Sequence, residues 1–185
     1  RLQLAWTTLA AGGDLPAALL LSDAALATRP GDALWLQRKA QVAEWAGKAP
    51  AALAAWLQLL QRDASEQALA NVFRLSPMLL DDDALLLAWQ TQARLRALTD
   101  AEVRKVVEVY ERLGSVNEAL VFLRNQAVVP GREPARLQLL EAELLERAGR
   151  LAEAVTLLEQ VPPERRSPED AMRLAQMHLR QGRFP

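Results

Sequence analysis

The 185-residue sequence has no cysteine, a single histidine and an aromatic content of only 5%. Without cysteine the chain forms neither a disulfide nor a thiolate metal site, and one histidine has no second ligand of its kind for a zinc centre. The charges nearly cancel, with 22 basic and 23 acidic residues, so the basic stripe of a nucleic-acid-binding protein is missing. The most apolar run is interrupted by Ser22 and Asp23 and is too short to span a bilayer.

The sequence also lacks the motifs of catalytic sites. No glycine-rich loop is placed to cradle a phosphate, and no serine stands in the glycine-flanked elbow of a hydrolase nucleophile. The acidic run Asp81–Asp83 does not continue as a calcium loop, because Leu86 occupies the place of the required glycine. We interpret this run as the cap of a helix, and we expect no enzyme activity, no cofactor and no metal.

A regular spacing of glycine and alanine is the main positive feature. Glycine is followed five residues later by alanine in four pairs, Gly13/Ala18, Gly47/Ala52, Gly114/Ala119 and Gly149/Ala154, and Gly182 opens a fifth pair. The intervals between these glycines are close to 34 residues, except for one gap of two periods. Such a period, in a chain rich in leucine and alanine, is typical of stacked helix pairs.

The spacing predicts an all-α solenoid of about five antiparallel helix pairs. Its approximate repeats are 1–32, 33–66, 67–98, 99–133 and 134–166, with a partial repeat at 167–185, and together they form a single domain. The third repeat is irregular. We expect Ser76-Pro77 to interrupt its first helix early, and Asp81 stands where the spacing predicts the missing turn glycine.

The turn motifs GDLPAA, GKAPAA, GSVNEA and GRLAEA, together with the closing Pro30, resemble the tetratricopeptide repeat family. The resemblance implies a right-handed superhelix of helix pairs in which the first helices line the concave side. It also implies a small residue in the middle of each first helix. Ala40, Val107 and Ala142 satisfy this requirement, but Trp6 does not, so the first repeat departs from the family pattern.

The exposed faces of the first helices are the candidate binding surface. We expect a protein partner to dock on the concave side through Gln37, Gln41, Trp45, Arg104, Glu108, Arg112, Glu143 and Arg147. The family's clamp for peptide carboxylates needs lysine and asparagine where Gln37 and Gln41 stand, which argues against a receptor for chaperone tails. Exposed tryptophan can anchor a protein or stack on a sugar, so direct polysaccharide binding stays open.

The composition is similar to that of periplasmic scaffolds of bacterial exopolysaccharide export, including the Pel, alginate and cellulose systems. That resemblance implies a non-catalytic scaffold that recruits a polymer-modifying enzyme in the periplasm, as part of an outer-membrane secretion protein. A cytoplasmic adaptor built from the same repeat is the other alternative. Because the chain begins at Arg1 and stops soon after Gly182, we expect both ends to be cuts through a longer array.

Overall fold

The computed structural model describes residues 2–180, and the regular structure in that range is entirely helical. The chain divides into two compact units, unit 1 (residues 1–96) and unit 2 (residues 97–185). Unit 1 contains α1 (Leu2–Ala11), α2 (Leu15–Thr28), α3 (Ala33–Trp45), α4 (Ala49–Arg62), α5 (Glu66–Leu79) and α6 (Asp82–Leu95). The described part of unit 2 contains α7 (Asp100–Arg112), α8 (Val116–Ala127), α9 (Pro134–Arg147), α10 (Leu151–Gln160) and α11 (Pro168–Arg180). The all-α prediction is confirmed.

Consecutive helices within each unit pack against each other as hairpins with short turns. Gly13, Gly47, Gly114 and Gly149 adopt φ between 70° and 80°, a left-handed conformation that glycine tolerates best. The residue after each glycine donates its backbone N–H to a carbonyl five residues earlier, as Lys48 does to Ala43 at 2.7 Å. This hydrogen bond closes the end of the first helix. The four predicted turns are confirmed, whereas Gly182 lies outside the described residues.

The third repeat differs from its sequence prediction in two respects. First, α5 continues through Ser76 and Pro77 to Leu79, so the proline does not end the helix early. It lies in the last turn, where its missing N–H removes a single bond, to the Phe73 carbonyl one turn upstream, and only two helical residues follow it. Second, the residue in place of the turn glycine is Leu80 and not Asp81. Leu80 has a φ of 54°, and the following N–H bonds the Ser76 carbonyl at 2.9 Å as in the glycine turns.

Trp6 fits the first repeat because its neighbour on α2 is small. Its indole Nε1 donates to Ser22 Oγ at 3.0 Å, and the side chain is buried, with an exposure of only 7%. The second repeat carries the reverse arrangement at the equivalent positions, with Ala40 on α3 and the buried Trp56 on α4. In these two repeats, a large residue on one helix is therefore matched by a small one on the other.

Side-chain caps fix where several helices begin. Asp81 Oδ1 accepts the backbone N–H of Ala84 at 2.9 Å, which confirms capping as the role of the acidic run. Thr99 and Glu102 form a reciprocal capping box at the start of α7. No helix among residues 2–180 has the length and apolar character needed to cross a membrane.

Candidate functional site

The eight predicted binding residues fall into two groups. Gln37, Gln41 and Trp45 lie on α3 in unit 1, and the other five lie on α7 and α9 in unit 2. All eight belong to the first helix of a repeat, as the spacing predicts.

Charged side chains link the first helices of unit 2. Arg104 on α7 donates to Glu143 on α9 at 3.0 Å, and Arg173 on α11 reaches the same carboxylate at 2.8 Å. Arg147 on α9 makes two hydrogen bonds with Glu111 on α7, at 2.6 and 2.9 Å. We call these five residues the ion-pair ladder. It connects three successive first helices, and three of the predicted binding residues are part of it.

The ladder shifts the ionisation of its members. Burial raises the pKa of the Glu143 carboxyl, but hydrogen bonds from Arg173 and Arg104 outweigh that effect, so the pKa lies below its ordinary value. The hydrogen bond to Glu111 raises the pKa of the Arg147 guanidinium. Both groups are therefore charged at neutral pH. A partner must compete with these internal bonds or contact the solvent-exposed side of the ion-pair ladder.

Glu108 and Arg112 occupy exposed positions one helical turn apart on α7. Glu108 adds to the negative potential around Arg147 without bonding it at close range. Beside the ladder, Arg104, Arg136 and Asp170 border a cleft of about 350 Å³ between the starts of α7, α9 and α11. Several of its charged groups are engaged with protein partners, for example Arg136 with Asp100 at 3.3 Å.

The α3 surface in unit 1 has a mixed pattern of bonding. Gln37 donates to Gln67 on α5 at 3.0 Å, so part of its amide is used between repeats. Glu44 accepts from the Trp56 indole at 2.9 Å and pairs with Arg74 on α5. Gln41 makes no hydrogen bond to any residue in the described range, and Trp45 makes none either. Trp45 is 59% exposed.

Two tryptophan rings flank Arg38, a residue that is not among the eight predicted binding residues. The Arg38 guanidinium carbon lies 4.9 Å from the centroids of both the Trp6 and the Trp35 rings. Trp45 packs obliquely on Trp6, with centroids 6.5 Å apart and planes 34° apart. The sequence signal was the helical spacing, because Arg38, Gln41 and Trp45 are three and four residues apart on one face of α3.

The described residues offer little for chemistry of other kinds. Within residues 2–180, no group of three or more histidine, aspartate or glutamate side chains is arranged to hold a metal ion. His178 on α11 lies 3.4 Å from Glu159 and is partly buried, so it takes part in packing between α10 and α11.

Comparison with known proteins shows likeness in structure but not in sequence. No family model matches the chain, and no curated protein matches it. The structure of Naa15/Naa10 bound to HypK-THB is similar with a TM-score of 0.67 and 16% identity, over 95% of this chain and 28% of that chain. This chain therefore spans about 28% of that protein's length. A tetratricopeptide repeat protein of Thermus thermophilus, TTC0263, has a TM-score of 0.45 and 21% identity, over 96% of this chain and 97% of that one. YrrB, described as a tetratricopeptide protein with an unusual peptide-binding site, has a TM-score of 0.46 and 15% identity, over 88% and 84% of the two chains.

At these identities the comparisons show the fold alone. The evidence for the fold is the likeness to the Naa15/Naa10 structure, with its TM-score of 0.67. The type of repeat is evident from the chain's own geometry. Helix pairs recur at about 34 residues, and each pair is closed by a left-handed turn residue. The fold is therefore an all-α solenoid of the tetratricopeptide type.

Proposed function

We propose that this protein is a non-catalytic scaffold that binds a protein partner through the exposed faces of its first helices. The observation that carries the proposal is Trp45, whose side chain is 59% exposed on the rigid helix α3. Solenoid repeats hold such side chains on a fixed frame, and tryptophan is enriched among the residues that contribute most to protein interfaces. The mixed charges of unit 2 supply orientation rather than affinity.

We further propose a place in exopolysaccharide export, in the periplasm, with a polymer-modifying enzyme as the partner. The similarity in composition to scaffolds of export systems supports this context. A direct contact with polysaccharide is the second candidate, and the exposed indole of Trp45 favours it because a sugar ring can stack on an aromatic face.

The test uses the full chain as immobilised bait against soluble and envelope extracts of the source cells. Trp45→Ala should lose the captured protein, since it removes the exposed anchor. Leu20→Ala is the matched control, because Leu20 is an exposed large apolar residue on the second helix α2. Capture of no protein by the unaltered chain contradicts the scaffold. Retention of soluble polysaccharide in place of protein replaces it with the second candidate.

The cellular context needs its own experiment. A tagged copy of the natural protein should fractionate with the periplasm and be recovered with a polysaccharide-modifying enzyme. Recovery from the cytoplasm with a different class of partner contradicts the export context but leaves the scaffold standing.

A further inference from the structure

One face of α3 holds three side chains whose hydrogen-bond donors are not used by any described residue. Arg38, Gln41 and Trp45 follow each other at helical spacing, and no hydrogen bond joins their side chains to any residue of the described range. We call these three residues the donor face. Other polar residues of α3 are engaged: Gln37 bonds Gln67, and Lys39 pairs with Asp23 at 2.7 Å.

Arg38 is the most unusual member of this face. Its Nη1 atom is shielded from solvent and has no hydrogen-bond partner in the part of the chain that the structure describes. The guanidinium is held between the Trp6 and Trp35 rings, and their π-electrons stabilise part of its charge. The neighbouring Lys39 has a carboxylate partner, whereas Arg38 has none among residues 2–180. The two ring contacts position the guanidinium, and its other nitrogens have no acceptor among those residues.

The donor face also has a defined length. Arg38 and Trp45 are seven residues apart, so they are separated by about 10 Å along the helix axis. Trp6 covers part of one side of the Trp45 ring, and the rest remains exposed. An apolar group fits against this partly covered ring at one end of the face, and an acidic group fits at the other end.

We propose that the donor face binds an extended acidic segment of a partner protein. A carboxylate of the segment accepts hydrogen bonds from Arg38, a backbone carbonyl accepts from the Gln41 amide, and an apolar side chain covers Trp45. This inference rests on the proposed scaffold function and names the chemistry of the partner. Charge complementarity carries it, because the unused donors are cationic or neutral and need acceptors.

The spacing of the face defines a probe. Two residues that are three positions apart in an extended chain are separated by about 10 Å. The probe is therefore the peptide acetyl-Ala-Glu-Ala-Ala-Leu-Ala-amide, with a second peptide that has glutamine in place of glutamate. Binding is followed by the chemical shift of the Trp45 indole N–H in a ¹⁵N-labelled full chain. The glutamate peptide should shift this signal with saturation, and the glutamine peptide should bind about tenfold more weakly because it lacks the charge.

Two variants separate recognition from folding. Arg38→Met keeps an unbranched apolar stem between the indoles and should weaken the glutamate peptide about tenfold. Lys48→Met removes one positive charge from an exposed site outside the face and should leave the affinity within about twofold. Trp45→Ala changes an exposed residue, so it provides a second test if Arg38→Met fails to fold. The wild-type chain should bind the leucine peptide more tightly than a peptide with alanine in place of leucine, and Trp45→Ala should abolish this preference. The measurement is the chemical shift of the Gln41 side-chain amide.

Each alternative outcome has a definite meaning. If Arg38→Met lowers the unfolding midpoint but leaves peptide binding unchanged, Arg38 only clamps α1 to α3 and the proposal is overturned. Equal binding of the two peptides, or no shift at millimolar concentrations, also overturns it. A response to oligoglucuronate but not to either peptide assigns the face to a sugar acid instead. If the unaltered full chain captures a protein but binds neither peptide, this proposal fails and the scaffold function stands. If the unaltered chain binds neither peptide and captures no protein, the scaffold function is contradicted as well.

Discussion

Leu80 shows how a single residue can occupy a backbone position that its neighbours assign to glycine. Four other turns have glycine at this place, with φ between 70° and 80°, and Leu80 adopts the same region with φ 54°. A side chain makes this conformation less favourable by about 1 kcal/mol or more. Leu80 is 89% exposed, so little packing repays the strain. The turn is therefore set by the repeat and not by the local preference of leucine.

Leu80→Gly should stabilise unit 1 by roughly 0.5–1 kcal/mol, because relief of the strain exceeds the entropy that glycine loses on folding. The measurement is the urea midpoint of unfolding. The reverse change, Gly47→Ala, should destabilise by about 1 kcal/mol. A Cβ at position 47 meets no atom within 4 Å, so this control reports the backbone alone. A lower midpoint for Leu80→Gly would show that the leucine side chain contributes packing outside the described contacts.

Glu143 makes the stability of unit 2 depend on pH. Its pKa is lowered in the folded state, with burial opposed and outweighed by the hydrogen bonds from Arg173 and Arg104. The unfolded chain then binds more protons than the folded chain as the pH falls. The stabilisation is present above the unfolded pKa of about 4 and is lost as the pH falls through the folded value.

Glu143→Gln should therefore lower the thermal midpoint at neutral pH and flatten its decline on acidification. The comparison is a series of melts from neutral pH to about pH 3. Glu153→Gln is the matched control, because the pKa of Glu153 is also lowered by Arg150, but the pair is exposed and screened by solvent. Parallel pH profiles for the wild type and Glu143→Gln would contradict the role of the ladder.

At the scale of helices, the first two of the three repeats of unit 1 solve one packing problem in opposite ways. Trp6 on α1 faces Ser22 on α2, whereas Ala40 on α3 is matched by Trp56 on α4. Both positions are fixed relative to the turn glycine, at seven residues before it and nine after it. The third repeat has aromatic residues at both places, and Phe73 packs edge-to-face on Trp89 with centroids 4.6 Å apart. The pair, and not either residue alone, is what the helix crossing requires.

Transferring the second arrangement into the first repeat tests this interpretation. Trp6→Ala should destabilise by about 3–5 kcal/mol through the cavity it leaves, and Ser22→Trp by about 1–3 kcal/mol through overpacking. The double variant should be more stable than the sum of the two changes predicts, because the new indole fills the vacated space. Chemical denaturation of all four proteins gives the coupling energy. Additive effects would show that the two positions are independent.

The sequence predicts the helix pairs because glycine turns and helical periodicity are local signals. The turn at Leu80 cannot be predicted from local signals, because leucine is a helix former and only the surrounding repeat places it in a turn. Ser22 could be found from its distance to Gly13, but its importance depends on a partner sixteen residues away. The ion-pair ladder is even harder to predict from the sequence. Helical spacing puts Arg104 and Glu143 on first helices, but their pairing across 39 residues requires the packed helices themselves.

At the scale of the whole molecule, the two units present first helices of different character. In unit 2, Arg147 pairs with Glu111 and Arg104 pairs with Glu143. These ion pairs stiffen the surface and neutralise its charge locally. In unit 1 the donor face is open. A division of labour follows from this contrast. Under the proposed scaffold function, we expect the open donors and the exposed indole of unit 1 to contribute affinity. We expect the exposed charges of unit 2 to act over distance on a partner of that unit.

The exposed pair Glu108 and Arg112 tests the second half of that division. Exchanging the charges in the full chain, Glu108→Lys with Arg112→Glu, keeps the net charge but reverses the local pattern of α7. Association with the captured partner should slow several-fold at low salt and approach the wild-type rate at high salt, because salt at about 0.1 M already screens exposed charges beyond about 10 Å. The control is the exchange Arg150→Glu with Glu153→Arg, which preserves an ion pair on the second helix α10. Surface plasmon resonance at two salt concentrations gives the rates, and circular dichroism confirms unchanged helicity. If the control slows association and the α7 exchange does not, the partner approaches through the second helices, and the predicted binding face of unit 2 is wrong.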